Sequence, residues 1–142
     1  MEDFEAGFPE IERRWQLGEQ ASFTIANRQD RLIGGIDVKF YAPERAGISY
    51  TLTPSARGRG IATAALLAVC RWSLTHCPDL VRLELWVQPG NDASERVALR
   101  GGFQREGILR SRLQFGGELR DVVSYSLLRS RPRMIPFAQI FA

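Results

Sequence analysis

Lysine is all but missing: Lys39 is the only one in 142 residues, and His76 is the only histidine. Without a lysine after a glycine-rich turn, the triphosphate-binding pattern G-x-x-x-x-G-K-[ST] is excluded, because that lysine reaches the terminal phosphates. One histidine and two cysteines, Cys70 and Cys77, form no cluster at metal-ligand spacing, so no metal is expected. The cysteines fall seven positions apart in or just after one expected helix. That separates them by about 10 Å along the axis, too far for a disulfide. They read as reduced packing residues, which suits a cytoplasmic protein. No apolar run approaches the roughly 20 residues of a membrane span, and no signal peptide opens the sequence, so no membrane partner is expected.

What is present is an apolar fraction of 44%, enough for one compact α/β domain with a full core. The domain is placed at residues 1–130, followed by an apolar tail at 131–142. The net charge is +3, and its basic part is arginine, scattered except for a cluster at Arg105, Arg110 and Arg112. Scattered arginines read as a solvated surface, and an acidic or nucleic-acid partner is the sharper alternative.

Residues 8–20 carry Phe8, Ile11 and Trp15 on one helical stripe. Residues 23–25 and 32–40 read as two strands about a polar turn, and Gly34-Gly35 suggests a bulge or a close backbone approach. A third strand covers residues 46–53. Residues 61–74 form a helix with few polar positions, expected to be buried on most sides and stopped by Pro78. Residues 81–87 alternate Val81, Leu83, Leu85 and Val87 with polar residues, the period of a half-buried strand. Asp92 with Glu95 three positions on reads as a capping box for a short helix ending at Gly101-Gly102. Residues 108–115 and 119–128 form a hairpin about Gly116-Gly117.

The informative passage is residues 48–63, ISYTLTPSARGRGIAT. A β-rich run meets Pro54, then the basic turn Arg57-Gly58-Arg59-Gly60, then a long helix at once. Two glycines let successive N–H groups face one way. The helix adds its unpaired first-turn N–H groups and the positive end of its dipole. This is an anion cradle suited to a pyrophosphate, and either arginine can pair with a phosphate in a two-pronged manner. A dinucleotide fingerprint is excluded, since Gly58-Arg59-Gly60 lacks its third glycine and position 80 is Leu80 rather than an acid. What remains is R-x-x-G-x-A, as Arg57, Gly60 and Ala62.

That loop resembles the acyl-CoA pyrophosphate loop of the GNAT superfamily of N-acetyltransferases. Residues 47–52 resemble the strand that precedes it. Asn91-Asp92-Ala93-Ser94-Glu95-Arg96-Val97, then Gly101-Gly102-Phe103 and Glu106-Gly107, resemble the family's N-x-x-S-x-R-V … G-F … E-G string. Gly117, Asp121 and Tyr125-Ser126-Leu127-Leu128 resemble its closing segment. Together they are similar to the RimJ/RimL branch, which acetylates protein N-termini and some other amines. The resemblance implies a mixed, mostly antiparallel twisted sheet flanked by helices. The family's usual first strand and helix have no counterpart before Phe8 and are expected to be missing.

The resemblance also implies acetyl-CoA as co-substrate and a primary amine as acceptor. It assigns cofactor binding to Arg57, Gly58, Arg59, Gly60, Ile61, Ala62 and Thr63. Backbone groups near Leu52 and Thr53 would pair with the pantetheine arm, with an amide at Leu52 polarising the acetyl carbonyl. Asn91 would bridge backbone and pantetheine. The family's usual tyrosine donor is absent from the helix after the fifth strand, so Ser94 becomes the proton donor. As a plain structural residue, Ser94 would instead cap its helix. Glu84 and Glu106 are the carboxylates nearest a base role, which stays unassigned, and Asp121 either orients the amine or stabilises its hairpin. His76 reads as a solvated or dipole-facing residue.

Two other classes compete: a non-catalytic acyl-CoA-binding module, and a ribosome- or RNA-associated protein suggested by the arginine content. The tail stretch 134–141 is expected to pack locally, to cover exposed surface or to dock on a second copy as a homodimer.

Overall fold

The computed structural model describes residues 8–130; the expected tail contacts at 134–141 lie outside them. Helix α1 (Phe8–Gln16) leads into β1 (Gln20–Ala26), β2 (Leu32–Ala42) and β3 (Arg45–Leu52). A single 3-10 turn at Pro54–Ala56 precedes α2 (Ile61–His76), β4 (Arg82–Val87), α3 (Asp92–Arg100), β5 (Gln104–Phe115) and β6 (Glu118–Leu128). The six strands form one sheet in the order β1-β2-β3-β4-β6-β5. Every neighbouring pair is antiparallel except β3 with β4. The expected mixed, mostly antiparallel sheet with flanking helices is what forms.

Alternation decides which face is buried. Ile36 and Val38 of β2, Ala46 and Ile48 of β3, Leu83 and Leu85 of β4, and Val123 and Tyr125 of β6 all face one core. Onto that face α2 lays Leu66, Val69 and Cys70. Each fully buried leucine there stabilises the fold by about 2 kcal/mol relative to exposure. The expectation that α2 is buried on most sides does not hold. Its buried stripe is Ala62, Leu66, Val69, Cys70 and Ser73, while Leu67 on the opposite side is 49% exposed. The helix is rich in alanine, which sits on either face at little cost, so composition alone gave no stripe. Burial pushes the Cys70 thiol up to about 12 and the Cys77 thiol upward as well; both cysteines are free packing residues.

The turns follow their residues. Gly116 and Gly117 both take positive φ (60° and 81°) between the paired Phe115 and Glu118, as a two-residue hairpin requires. At Gly34 the close approach is real: a Cβ there would sit 2.3 Å from the Thr51 carbonyl oxygen. A ladder irregularity adjoins it as well: Ile25 pairs with Gly34 but Ala26 pairs with Leu32, which leaves Ile33 as the extra residue of β2. Among the described residues no helix is long and apolar enough to cross a membrane.

Arg129 closes the far end of α2. Its Nε donates to the Leu80 carbonyl (2.8 Å), and Nη2 donates to the carbonyls of Leu74 (2.7 Å) and Cys77 (2.9 Å). These acceptors include a helix-end carbonyl that no backbone N–H continues to serve. Arg129→Met should therefore lower stability by about 2–4 kcal/mol in chemical denaturation. A loss below about 0.5 kcal/mol would show that water replaces the guanidinium without penalty.

Candidate functional site

The loop after β3 forms a cradle. Ala56 N donates to Thr53 O (3.0 Å) and Arg57 N to Pro54 O (3.3 Å), closing the 3-10 turn. Gly58 and Gly60 then adopt φ of 74° and 77°, left-handed values that favour glycine. A Cβ at either would meet nothing within 4 Å, so the loop faces open space. Gly60 is the N-cap of α2, no side chain caps that end, and no acid sits in its first turn. The amides of Ile61, Ala62 and Thr63 therefore keep their donor capacity and the dipole its positive end.

The sheet opens beside this cradle. Strands β3 and β4 pair at four positions only, from Arg45↔Arg82 to Ile48↔Leu85. Beyond them β3 continues along β2 to the pair Leu52↔Gly34, while β4 continues along β6 to Val87↔Val123. The two strands thus splay, leaving one edge of β3 without a partner after Ile48. Thr53 N donates to Ile33 O on β2 (2.9 Å). Strand alternation then turns the peptide groups of Thr51 toward β2, and those of Tyr50 and Leu52 toward the gap.

The opposite wall is the start of α3. Its N-cap is Asn91, whose Oδ1 accepts from Ser94 N (3.2 Å). The expected box at Asp92 is displaced by one residue, because the carboxamide already serves the third helical N–H. The Tyr50 hydroxyl donates to Ser94 Oγ (3.2 Å), linking the two walls. Between them lies a cavity of about 400 Å³.

That cavity brings together Leu52, Arg57, Gly58, Ala62, Asn91 and Ser94 of the expected set. Thr53, Arg59, Gly60, Ile61 and Thr63 do not line it. Thr53 has both peptide groups engaged, by Ile33 and Ala56, and Arg59 is exposed. Arg57 folds back so that Nε donates to the Leu52 carbonyl (3.3 Å), leaving its terminal nitrogens for a ligand. Sequence reasoning missed Tyr50, Thr51, Ala93 and Val97 on the walls. Tyr50 shares a strand face with Leu52 two positions on, and that spacing was the available signal.

The acids are elsewhere. Arg82 pairs with Glu84 (Nε to Oε1, 2.7 Å) and, across β6, with Glu106. The Arg82 guanidinium and then the Ser126 hydroxyl hold the Glu106 carboxyl below its usual range. Both carboxylates are thus ion-paired to Arg82. Asp121 Oδ1 accepts from Ser111 N (2.8 Å), and Ser111 takes φ of 47° at the ladder shift in β5. Asp121 therefore serves its hairpin. The His76 ring pairs through Nδ1 with the Trp72 carbonyl (2.9 Å) and stacks on Trp72, away from the cavity.

With the splay, the glycine cradle and the uncapped helix in place, the family can be stated. The chain belongs to the acetyltransferase (GNAT) domain family, whose profile matches residues 3–104. It is 34% identical over 116 residues to the protein named "Probable N-acetyltransferase YjcK" of Bacillus subtilis, covering 79% of this chain and 64% of that one. It spans less than two thirds of the length of the curated relatives it matches. Mycobacterium smegmatis RimJ, solved in complex with CoA-disulfide, superposes with a TM-score of 0.78 at 26% identity, over 88% of this chain and 60% of that one. RimL, a ribosomal L7/L12 alpha-N-protein acetyltransferase in complex with coenzyme A, gives 0.79 at 25% identity, over 89% and 72%.

Proposed function

We propose that this chain is an acetyl-CoA-dependent N-acetyltransferase that moves an acetyl group to a primary amine, a protein N-terminus or a small molecule, by direct attack on the thioester. The observation that carries the reading is the splay of β3 from β4 directly beside an uncapped helix N-terminus. One end offers strand edge to an extended arm, and the other offers amides to a diphosphate.

Acetyl-CoA, when bound, supplies an activated carbonyl carbon and a diphosphate handle. The amides of Ile61, Ala62 and Thr63, the Gly58–Gly60 turn, and Arg57 and Arg59 would hold the handle. The Leu52 N–H faces the gap and would donate to the carbonyl oxygen as negative charge develops there. Asn91 would add its amide N–H₂, since its oxygen is engaged by the helix cap. The amine attacks as the neutral base, the carbon–sulfur bond breaks, and the departing sulfur takes one proton. Ser94 would give that proton: its oxygen accepts from Tyr50, so its own hydrogen is free to point into the cavity, and Tyr50 can restore it. With Glu84 and Glu106 both tied to Arg82, the amine's surplus protons would pass to water. Holding both reactants in line supplies much of the acceleration.

Release of free thiol from acetyl-CoA, measured against peptides and small amines, tests the activity. Thiol released only when an amine is present is the expected result. None with any amine, while CoA binds, would leave a pure binder. Ser94→Ala should cut kcat by about 10²-fold with CoA affinity little changed, and Tyr50→Phe should cost less. Full activity in Ser94→Ala would remove the proton-donor assignment.

A further inference from the structure

On the sheet face opposite the α2 core, β2 places a carboxylate that nothing yet described uses. Ile36 and Val38 are buried in the core, so Asp37 between them points the other way. It stands opposite Ser22 of β1 and Ser49 of β3, half-buried in the middle of the sheet. Among the described residues Asp37 forms no ion pair, and its carboxylate accepts no hydrogen bond from a side chain or from the backbone outside the strand ladders. Its carboxylate reaches open space, since no described side-chain oxygen is both buried and without a partner. Lys39, the next residue of β2 on that face, is exposed and does not reach it.

Asp37 lines a cavity of about 530 Å³ in which, among the described residues, it is the only charged one. Around it are the hydroxyls of Ser22, Thr24, Ser49 and Thr51, and the bare backbone of Gly35 keeps the floor open: a Cβ there would come no closer than 3.6 Å to anything outside its own neighbours. Tyr50, Thr51 and Leu52 line this cavity and the cofactor cavity alike, so the two meet across β3. Leu52, where the acetyl carbonyl would sit, lies three positions along β3 from Ser49, beside Asp37. That is roughly 10 Å of strand.

We infer that this second cavity takes the acceptor, and that Asp37 receives a second positive charge which the acceptor carries within about 10 Å of the amine being acetylated. The substrate class is then a diamine or polyamine, or an N-terminus followed closely by a cationic side chain. The inference rests on the acetyltransferase reading and narrows it. A single carboxylate among hydroxyls binds an ammonium group by a charge-assisted hydrogen bond and rejects a methyl group of the same size.

Cadaverine and pentylamine, which differ by one amine, separate the possibilities on the whole chain. The expected result is a KM at least about tenfold lower for cadaverine, abolished in Asp37→Asn, with kcat and the KM for pentylamine unchanged in that variant. Equal KM values for the two amines in the unmodified protein, or an Asp37→Asn variant that weakens both alike, would overturn it. Calorimetric binding of cadaverine in the presence of CoA gives a second readout without turnover. Cadaverine bound by the unmodified protein and lost in Asp37→Asn supports the site even if no acetyl transfer occurs, in which case only the enzymatic reading falls. No binding to the unmodified protein overturns the site while leaving thiol release to judge the enzyme.

Discussion

Gly60→Glu is expected to abolish CoA binding, lowering affinity by at least about 100-fold, or ~2.7 kcal/mol. Three effects act in the same direction. Position 60 holds φ of 77°, which costs an ordinary residue about 1–2 kcal/mol. The new side chain projects into the open space that the loop now leaves. Its carboxylate would stand at the positive end of α2, where a diphosphate must otherwise sit, and would repel it. Gly60→Ala separates these effects, because it adds the backbone strain and a methyl group but no charge. Calorimetry on the three proteins should therefore rank Ala near the unmodified chain and Glu at background. If Gly60→Glu bound CoA normally, the diphosphate would have to lie away from this turn, and the enzymatic assignment would lose its footing.

The second large effect is on folding. Gly34→Ala places a methyl carbon 2.3 Å from the Thr51 carbonyl oxygen and 2.8 Å from a Leu52 methyl. Neither neighbour is the loose end of a flexible side chain on open surface: one is main chain of a paired strand, the other a half-buried leucine. Either β2 moves away from β3 or the pair Gly34↔Leu52 breaks. A destabilisation of about 3 kcal/mol or more is expected in denaturant titrations. CoA affinity should fall as well in whatever fraction stays folded, since Leu52 is the residue displaced. Gly35→Ala, one position along, meets nothing closer than 3.6 Å and should change stability by less than about 1 kcal/mol, which makes it the control. Equal stability in the two variants would show that the strands adjust freely here.

The elements whose chemistry is local could be read from the chain. Residues 57–62 announce the cradle because turn, glycines and helix start are contiguous, and Val81 to Val87 announces β4 because burial alternates along it. The hairpin at Gly116-Gly117 is legible for the same reason. What could not be read depends on contacts between distant positions. Tyr50 reads as one more apolar strand residue until the fold brings its hydroxyl to Ser94, 44 positions away. Glu84 lies two positions from Arg82 on one face of β4, a pairing the spacing offered, but Glu106 looks like a free base until strand order brings it to Arg82. The cap at Asn91 rather than Asp92 turns on one residue of register, which pattern alone does not fix. Arg57 reads as a phosphate ligand, and its bond to the Leu52 carbonyl is a matter of rotamer.

The four-residue join between β3 and β4 has a consequence for how the protein breathes. Tyr50 and Leu52 belong to one side of the sheet and Asn91 and Ser94 to the other, with little backbone zipped between them. An extended molecule lying in that wedge would stitch the sides together. Amide protons at Tyr50 and Leu52 should exchange quickly with solvent in the empty protein and slowly once CoA is added. The melting temperature should climb with the logarithm of CoA concentration.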